Sequence, residues 1–263
     1  MEHIEKRFAQ LGFPVEILTS PKVTGRGGVP YRIDVVTDKK GKEKFKIELD
    51  DSRVELQVLD TNAAERALVL MVKYDDVKIK ALCGHDERQL FTAAASESIT
   101  TVLQAKDGLK PPDVKSREAQ AGVKKQKVHK HRNKARVRQG DFFFLPVPNK
   151  IIPENLILRD EPINRGRGRS HMVEELYREG GETVMVSSTH RNGVTLAQHE
   201  ELMKSNGASR FLRWTQRQRG ARVFARGRIT HGQHVTVVLK TWHEVVPNTE
   251  AAQRGFSDMA FLD

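Results

Sequence analysis

The chain has 263 residues, 38% of them hydrophobic, and carries a formal net charge of +11. That length and modest apolar content favour two cores of ordinary size over one large one, and the single cysteine, Cys83, excludes an internal disulfide. No apolar run approaches the roughly 18 residues of a spanning helix, and the opening MEHIEKRFAQLGF is charged and amphipathic rather than leader-like, so a soluble, cytoplasmic protein with an anionic partner and no membrane contact is expected.

In chain order, Ile4, Phe8 and Leu11 recur at helical spacing before Gly12 and predict a helix over 3–11. Strand-like runs follow at 14–19, 31–37, 44–49 and 53–59, the second and third joined by DKKGK in an antiparallel hairpin. Two more strands, 67–74 and 77–83, flank Asp75-Asp76, and a helix over 98–109 with Ser98 as its cap stops at Pro111-Pro112. Residues 113–138 are rich in Lys, Arg, Gln and His and poor in large apolar side chains, which predicts a flexible connector. The triple phenylalanine of GDFFFLPVP then marks a buried strand. A helix over 170–178, a strand over 183–187, a helix over 196–204 and a long hairpin over 222–246 complete the pattern. The expected fold is α+β: an N-terminal domain, 1–112, a basic linker, 113–138, and a C-terminal domain, 139–263, each a mostly antiparallel sheet with a few helices.

The positive charge is local. Residues 113–138 hold ten Lys and Arg against Asp113 and Glu118, and residues 210–228 hold seven Arg and no acid, so the rest of the chain is net negative. Lys124, Lys125, Lys127, Lys130, Arg132, Lys134, Arg136 and Arg138 form the first patch, suited to phosphates without base preference. In the second, Arg213, Trp214, Arg217, Arg219, Arg222, Arg226 and Arg228 interleave with aromatic side chains. That mixture suits RNA or another single strand, whose bases stack while arginines hold the backbone. Arg222, Arg226 and Arg228 are expected to share a strand face with Phe224 as a cationic strip.

Two stretches could carry chemistry. INRGRGRSHMVEEL offers Arg165, Gly166, Arg167, Gly168, Arg169 and Ser170 as a phosphate-binding loop at a helix N-terminus, although it lacks the GK[ST] of a nucleotide loop. His171, neutral in the first helical turn, with Glu174 close by, is the candidate catalytic pair. In RITHGQHVTVVLKTWHEV, a two-residue Gly232-Gln233 turn sets His231 opposite His234, as two ligands for a divalent metal ion. His243 is nine residues further on and points to the other face. CGHDER, 83–88, reads as an exposed turn rather than a nucleophile site.

Three functions fit these residues. The leading one is a nucleic-acid-binding protein that grips the phosphate backbone through the linker and the Arg-rich hairpin. The second is a nuclease or phosphodiesterase with a His/Glu site and a divalent metal, and the third a basic scaffold for an acidic protein.

Overall fold

The computed structural model describes residues 1–20, 23, 29–50, 53–164, 169–205 and 207–249. Among the described residues the structure is mostly sheet with four helices, an α+β arrangement, and the chain falls into two compact units, Met1–Lys110 and Pro111–Asp263. Among the described residues no helix is long and apolar enough to cross a membrane.

In the first unit, α1 (Glu2–Gln10) is followed by β1 (Val15–Thr19), β2 (Tyr31–Thr37) and β3 (Glu43–Leu49). These strands form a sheet in the order β1-β3-β2, with β1 parallel to β3 and the β2–β3 hairpin antiparallel. A second sheet, wholly antiparallel, runs β4 (Val54–Asn62), β5 (Ala67–Tyr74), β6 (Val77–Asp86) and β7 (Gln89–Ala95). Residues in β5 alternate between two cores: Leu68 and Leu70 pack with Phe8, Phe45 and Ile47, whereas Ala67 and Val69 pack with Val102 and Ala105 of α2 (Val102–Gly108). Burial on both faces explains its unbroken apolar run. The cap of α2 is Thr101, which accepts from the Gln104 N–H in a reciprocal box, so this helix begins later than the Ser98 cap predicts. Cys83 is fully buried within β6, and burial pushes its thiol up to about 12. The CGHDER segment is therefore mostly strand rather than turn, and its thiol is inert.

The second unit opens with α3 (Pro112–Gln120), in which Pro112 takes the first helical turn, where its missing N–H costs nothing. Six antiparallel strands follow in the spatial order β10-β11-β15-β16-β9-β8: β8 (Val137–Gln139), β9 (Phe142–Pro146), β10 (Leu158–Ile163), β11 (His171–Glu179), β15 (Arg222–His231) and β16 (His234–Pro247). A small sheet, β13 (Val194–Thr195), β12 (Glu182–Val186) and β14 (Thr215–Arg219), is joined by α4 (Leu196–Ser205). Phe142 and Phe144 of β9 lie in the main core with Val173, Leu176 and Ile229, while Phe143 and Leu145 meet Val114 of α3 on the other face. The triple phenylalanine is thus buried on both sides, one of them by a helix from the expected linker.

That linker is the first correction. Residues 113–138 belong to the second unit and are folded. Arg136 is buried; its Nε donates to Glu118 Oε1 at 2.9 Å, and its terminal nitrogens donate to the carbonyls of Val128 (2.8 Å) and Lys130 (3.0 Å). The segment wraps a guanidinium instead of an apolar cluster, so composition alone misses it. The second correction is 170–178, which is the strand β11 and not a helix. A bulge between Val173 and Glu175 places Val173 and Leu176 in the same core at a spacing of three, imitating a helical period.

Candidate metal centre

His171 opens β11, where Met172 lies opposite Thr230 and Val173 opposite Ile229 of β15. Extending that register by one residue brings His171 beside His231, which pairs in turn with His234 across the Gly232-Gln233 turn. Three adjacent strands each contribute one imidazole at the same level of the sheet. Ring centroids are 4.3 Å apart for His171 and His231 and 4.6 Å for His231 and His234, close to the inter-strand spacing of about 4.8 Å. His171 and His234, two strands apart, are separated by only 5.5 Å, so the three rings close into a group instead of forming a row. A bulge between Ile229 and His231 bends the hairpin tip in this way. Gln139 braces the bend: its buried Nε2 donates to the carbonyls of Ile229 (3.1 Å) and Val235 (2.7 Å).

One ligand atom from each of the three histidines lies within 4.8 Å of the others. Nitrogens bound to one tetrahedral ion at about 2.0 Å are roughly 3.3 Å apart, so closing the group requires shifts of about 1 Å per side chain. His171 is 5% exposed, and neither of its ring nitrogens has a hydrogen-bond partner among the described residues. A buried polar atom left in that state is costly unless something outside the protein completes it. Burial, reinforced by His231 and His234, lowers its pKa to about 3, so the ring is neutral and presents a lone pair at pH 7. Burial and then His234 also lower the pKa of His231.

Gly140, between β8 and β9, closes the floor of the group. Its backbone has φ +55°, and a Cβ built there falls 2.5 Å from His234 Nε2 and 3.2 Å from His171 Nε2. Two ring nitrogens therefore converge on a space that only glycine leaves open. Around the rim, the exposed Arg169 sets its guanidinium beside Gly232 and hydrogen-bonds His231 through its backbone, and the Arg138 Nε donates to the Gly140 carbonyl at 2.9 Å. Asp141 is near enough for its charge to act on His231. A cluster of ring nitrogens with arginines beside it suits a metal ion whose further ligand is an anion.

Other expected site residues lie elsewhere. Glu174 does not meet His171, because on a strand its carboxylate turns away and accepts the Arg228 N–H at 2.7 Å. The helix-capping phosphate loop has no helix to cap: Ser170 precedes a strand, and Arg165, Gly166, Arg167 and Gly168 lie outside the described residues. His243 is buried, with Nδ1 2.7 Å from the Thr241 carbonyl. Trp214 is half-buried, packs between His190 (stacked, 5.2 Å) and His199 (edge-on, 4.6 Å) and donates to the Ser209 carbonyl, so its ring is partly occupied by protein neighbours. The cationic strip is neutralised by the protein itself. Arg222 binds Glu244 through two bonds of 2.8 and 2.9 Å, Arg226 pairs with Glu175 and Arg228 with Glu174; outside the strip, Arg219 of β14 pairs with Glu182, and Arg213 and Arg217 are exposed. Sequence reasoning missed Gly140 and Gln139 and took His171 as a catalytic base with Glu174 rather than as a third ring beside His231 and His234; all three depend on which strands become neighbours.

Comparisons with protein families, curated proteins and solved structures found no match to this chain, so function is argued from the geometry alone.

Proposed function

We propose that the Pro111–Asp263 unit binds a divalent transition-metal ion through His171, His231 and His234 and hydrolyses phosphodiester bonds there. The observation that carries this reading is the convergence of three imidazoles, one buried and without a hydrogen-bond partner among the described residues, over a glycine whose missing side chain leaves room for an ion. Three imidazole ligands would leave a fourth position for water, and an ion so held would bring the pKa of that water towards neutrality. Hydrolysis consumes one water: its oxygen forms the new bond to phosphorus, the bond to one ester oxygen breaks, and that oxygen leaves as an alcohol carrying a proton. Arg169 and Arg138 supply positive charge for the phosphate oxygens. Gln139 holds the bent hairpin, and hence the spacing of the ligands.

Elemental analysis and zinc, manganese and nickel titration test the centre. Wild type should bind about one ion per chain; His171→Ala and Gly140→Ala should weaken binding by at least tenfold, with the fold retained by circular dichroism. Failure of wild type to bind any of the three ions above buffer background overturns the reading. Stoichiometric metal without cleavage of bis(4-nitrophenyl) phosphate leaves a metal centre and removes the hydrolase.

A further inference from the structure

We infer that the substrate of this centre is a single-stranded nucleic acid that lies on the folded lysine loop of residues 124–134 and reaches the histidines along β16, an inference that rests on the hydrolase reading. Lys124, Lys125, Lys127, Lys130 and Lys134 are all exposed, and none has an ion-pair partner among the described residues. The carboxylate nearest in sequence, Glu118, is turned inward, where one oxygen accepts from both Arg136 and Asn133 at 2.9 Å. Arg136 gathers the carbonyls of residues 128, 130 and 131 around its guanidinium, and Asn133 Oδ1 accepts the N–H groups of Ala135 and Arg136. The loop is therefore held from inside by its polar core while its lysines point outward. A fixed array of cations binds a polyanion without first having to order itself.

The loop is physically continuous with the metal centre. The Arg132 guanidinium donates to the Val238 carbonyl at 3.2 Å, and Val238 is four residues along β16 from His234, about 13 Å at the strand rise. On the other side, the Arg138 N–H donates to the His131 carbonyl, and residue 138 leads through β8 to Gly140. A stacked strand carries one phosphate per roughly 3.4 Å, so about four phosphates cover the distance. Between loop and histidines, β16 exposes Val235 and Val238 at 51% and 52%. These are apolar surfaces that unpaired bases can cover, whereas a duplex keeps its base faces stacked inside. His171 and His234 are almost wholly buried, so the chain that reaches them must be narrow and able to dip inward, as a single strand is.

Fluorescence anisotropy with labelled 4-mer and 15-mer oligothymidylate and oligouridylate, over a salt series, tests the loop in the full chain. The wild type should bind the 15-mers at least tenfold more tightly than the 4-mers. Changing the five lysines to Gln should lower 15-mer affinity at least tenfold and flatten the slope of log K against log salt by about 3.5, at roughly 0.7 for each phosphate that is no longer neutralised. Unchanged affinity in that variant, or equal binding of polyglutamate, overturns the inference, the latter in favour of an acidic protein partner. Hydroxyl-radical footprinting of the exposed Val235, next to His234, tests the route without relying on activity: bound 15-mer should protect it, and unaltered oxidation excludes a strand that reaches the centre. Absence of bis(4-nitrophenyl) phosphate cleavage by the wild type overturns the hydrolase while leaving the binding result to stand or fall separately.

Discussion

The lysine loop, 124–134, and the arginines of β14 and β15 from Arg219 to Arg228 are both basic in the sequence and stand in opposite electrostatic situations in the fold. For the arginines, cross-strand neighbours supply the compensation: Glu244 for Arg222, Glu175 for Arg226, Glu174 for Arg228 and Glu182 for Arg219. Those glutamates come from β11, β12 and β16, remote in sequence, so a window that counts charge along the chain never sees them. In the loop, the one internal carboxylate is used by the one buried arginine, and the lysines stay outside. A basic stretch becomes a binding surface only when its own fold leaves the charge unanswered.

Three changes test that contrast, and the largest effect belongs to the loop. Arg136→Ala strands the buried Glu118 carboxylate and removes the donor to three carbonyls, so urea denaturation should show a loss of about 3–5 kcal/mol. A loss under about 1 kcal/mol would mean the loop is not built around that guanidinium. Arg222→Gln, on the exposed hairpin, should cost at most about 1 kcal/mol, because solvent screens the pair. Its affinity for a 15-mer should change less than twofold; a loss matching that of the lysine variant would abolish the distinction between the two regions. The smallest effect is on acid stability. Glu244 and Glu175 have folded pKa values held below their ordinary 4.5, chiefly by hydrogen bonds from Arg222 and Arg226. A depressed carboxylate contributes stability that is present above the unfolded pKa and is lost as pH falls through the folded one. Melting temperature should therefore fall below about pH 4.5 in wild type, and Glu244→Gln should make that fall shallower.

The histidine cluster is legible in the sequence only in part. Gly232-Gln233 between two strand runs is a local signal, and a two-residue turn fixes the cross-strand pair His231 and His234 whatever the rest of the chain does. His171 stands out as chemically suggestive, but its setting does not. SHMVEELYRE has a helix-capping serine, early glutamates and an apolar spacing of three, and the bulge that produces this spacing exists only when β15 lies alongside. Helical geometry would pair Glu174 with His171; on the strand it belongs instead to Arg228. Gly140 carries no motif: its role follows from two imidazoles approaching from β11 and β16.

Local sequence determined most elements of this protein, including the first hairpin, the buried β9 and the long β15–β16 ribbon, because turn chemistry and side-chain alternation act over a few residues. Tertiary structure alone decided which histidines meet, which arginines are neutralised and that residues 113–138 fold. Each of those outcomes depends on strand neighbours or on a buried polar contact between distant segments, and free energy of that kind is absent from any short window of sequence.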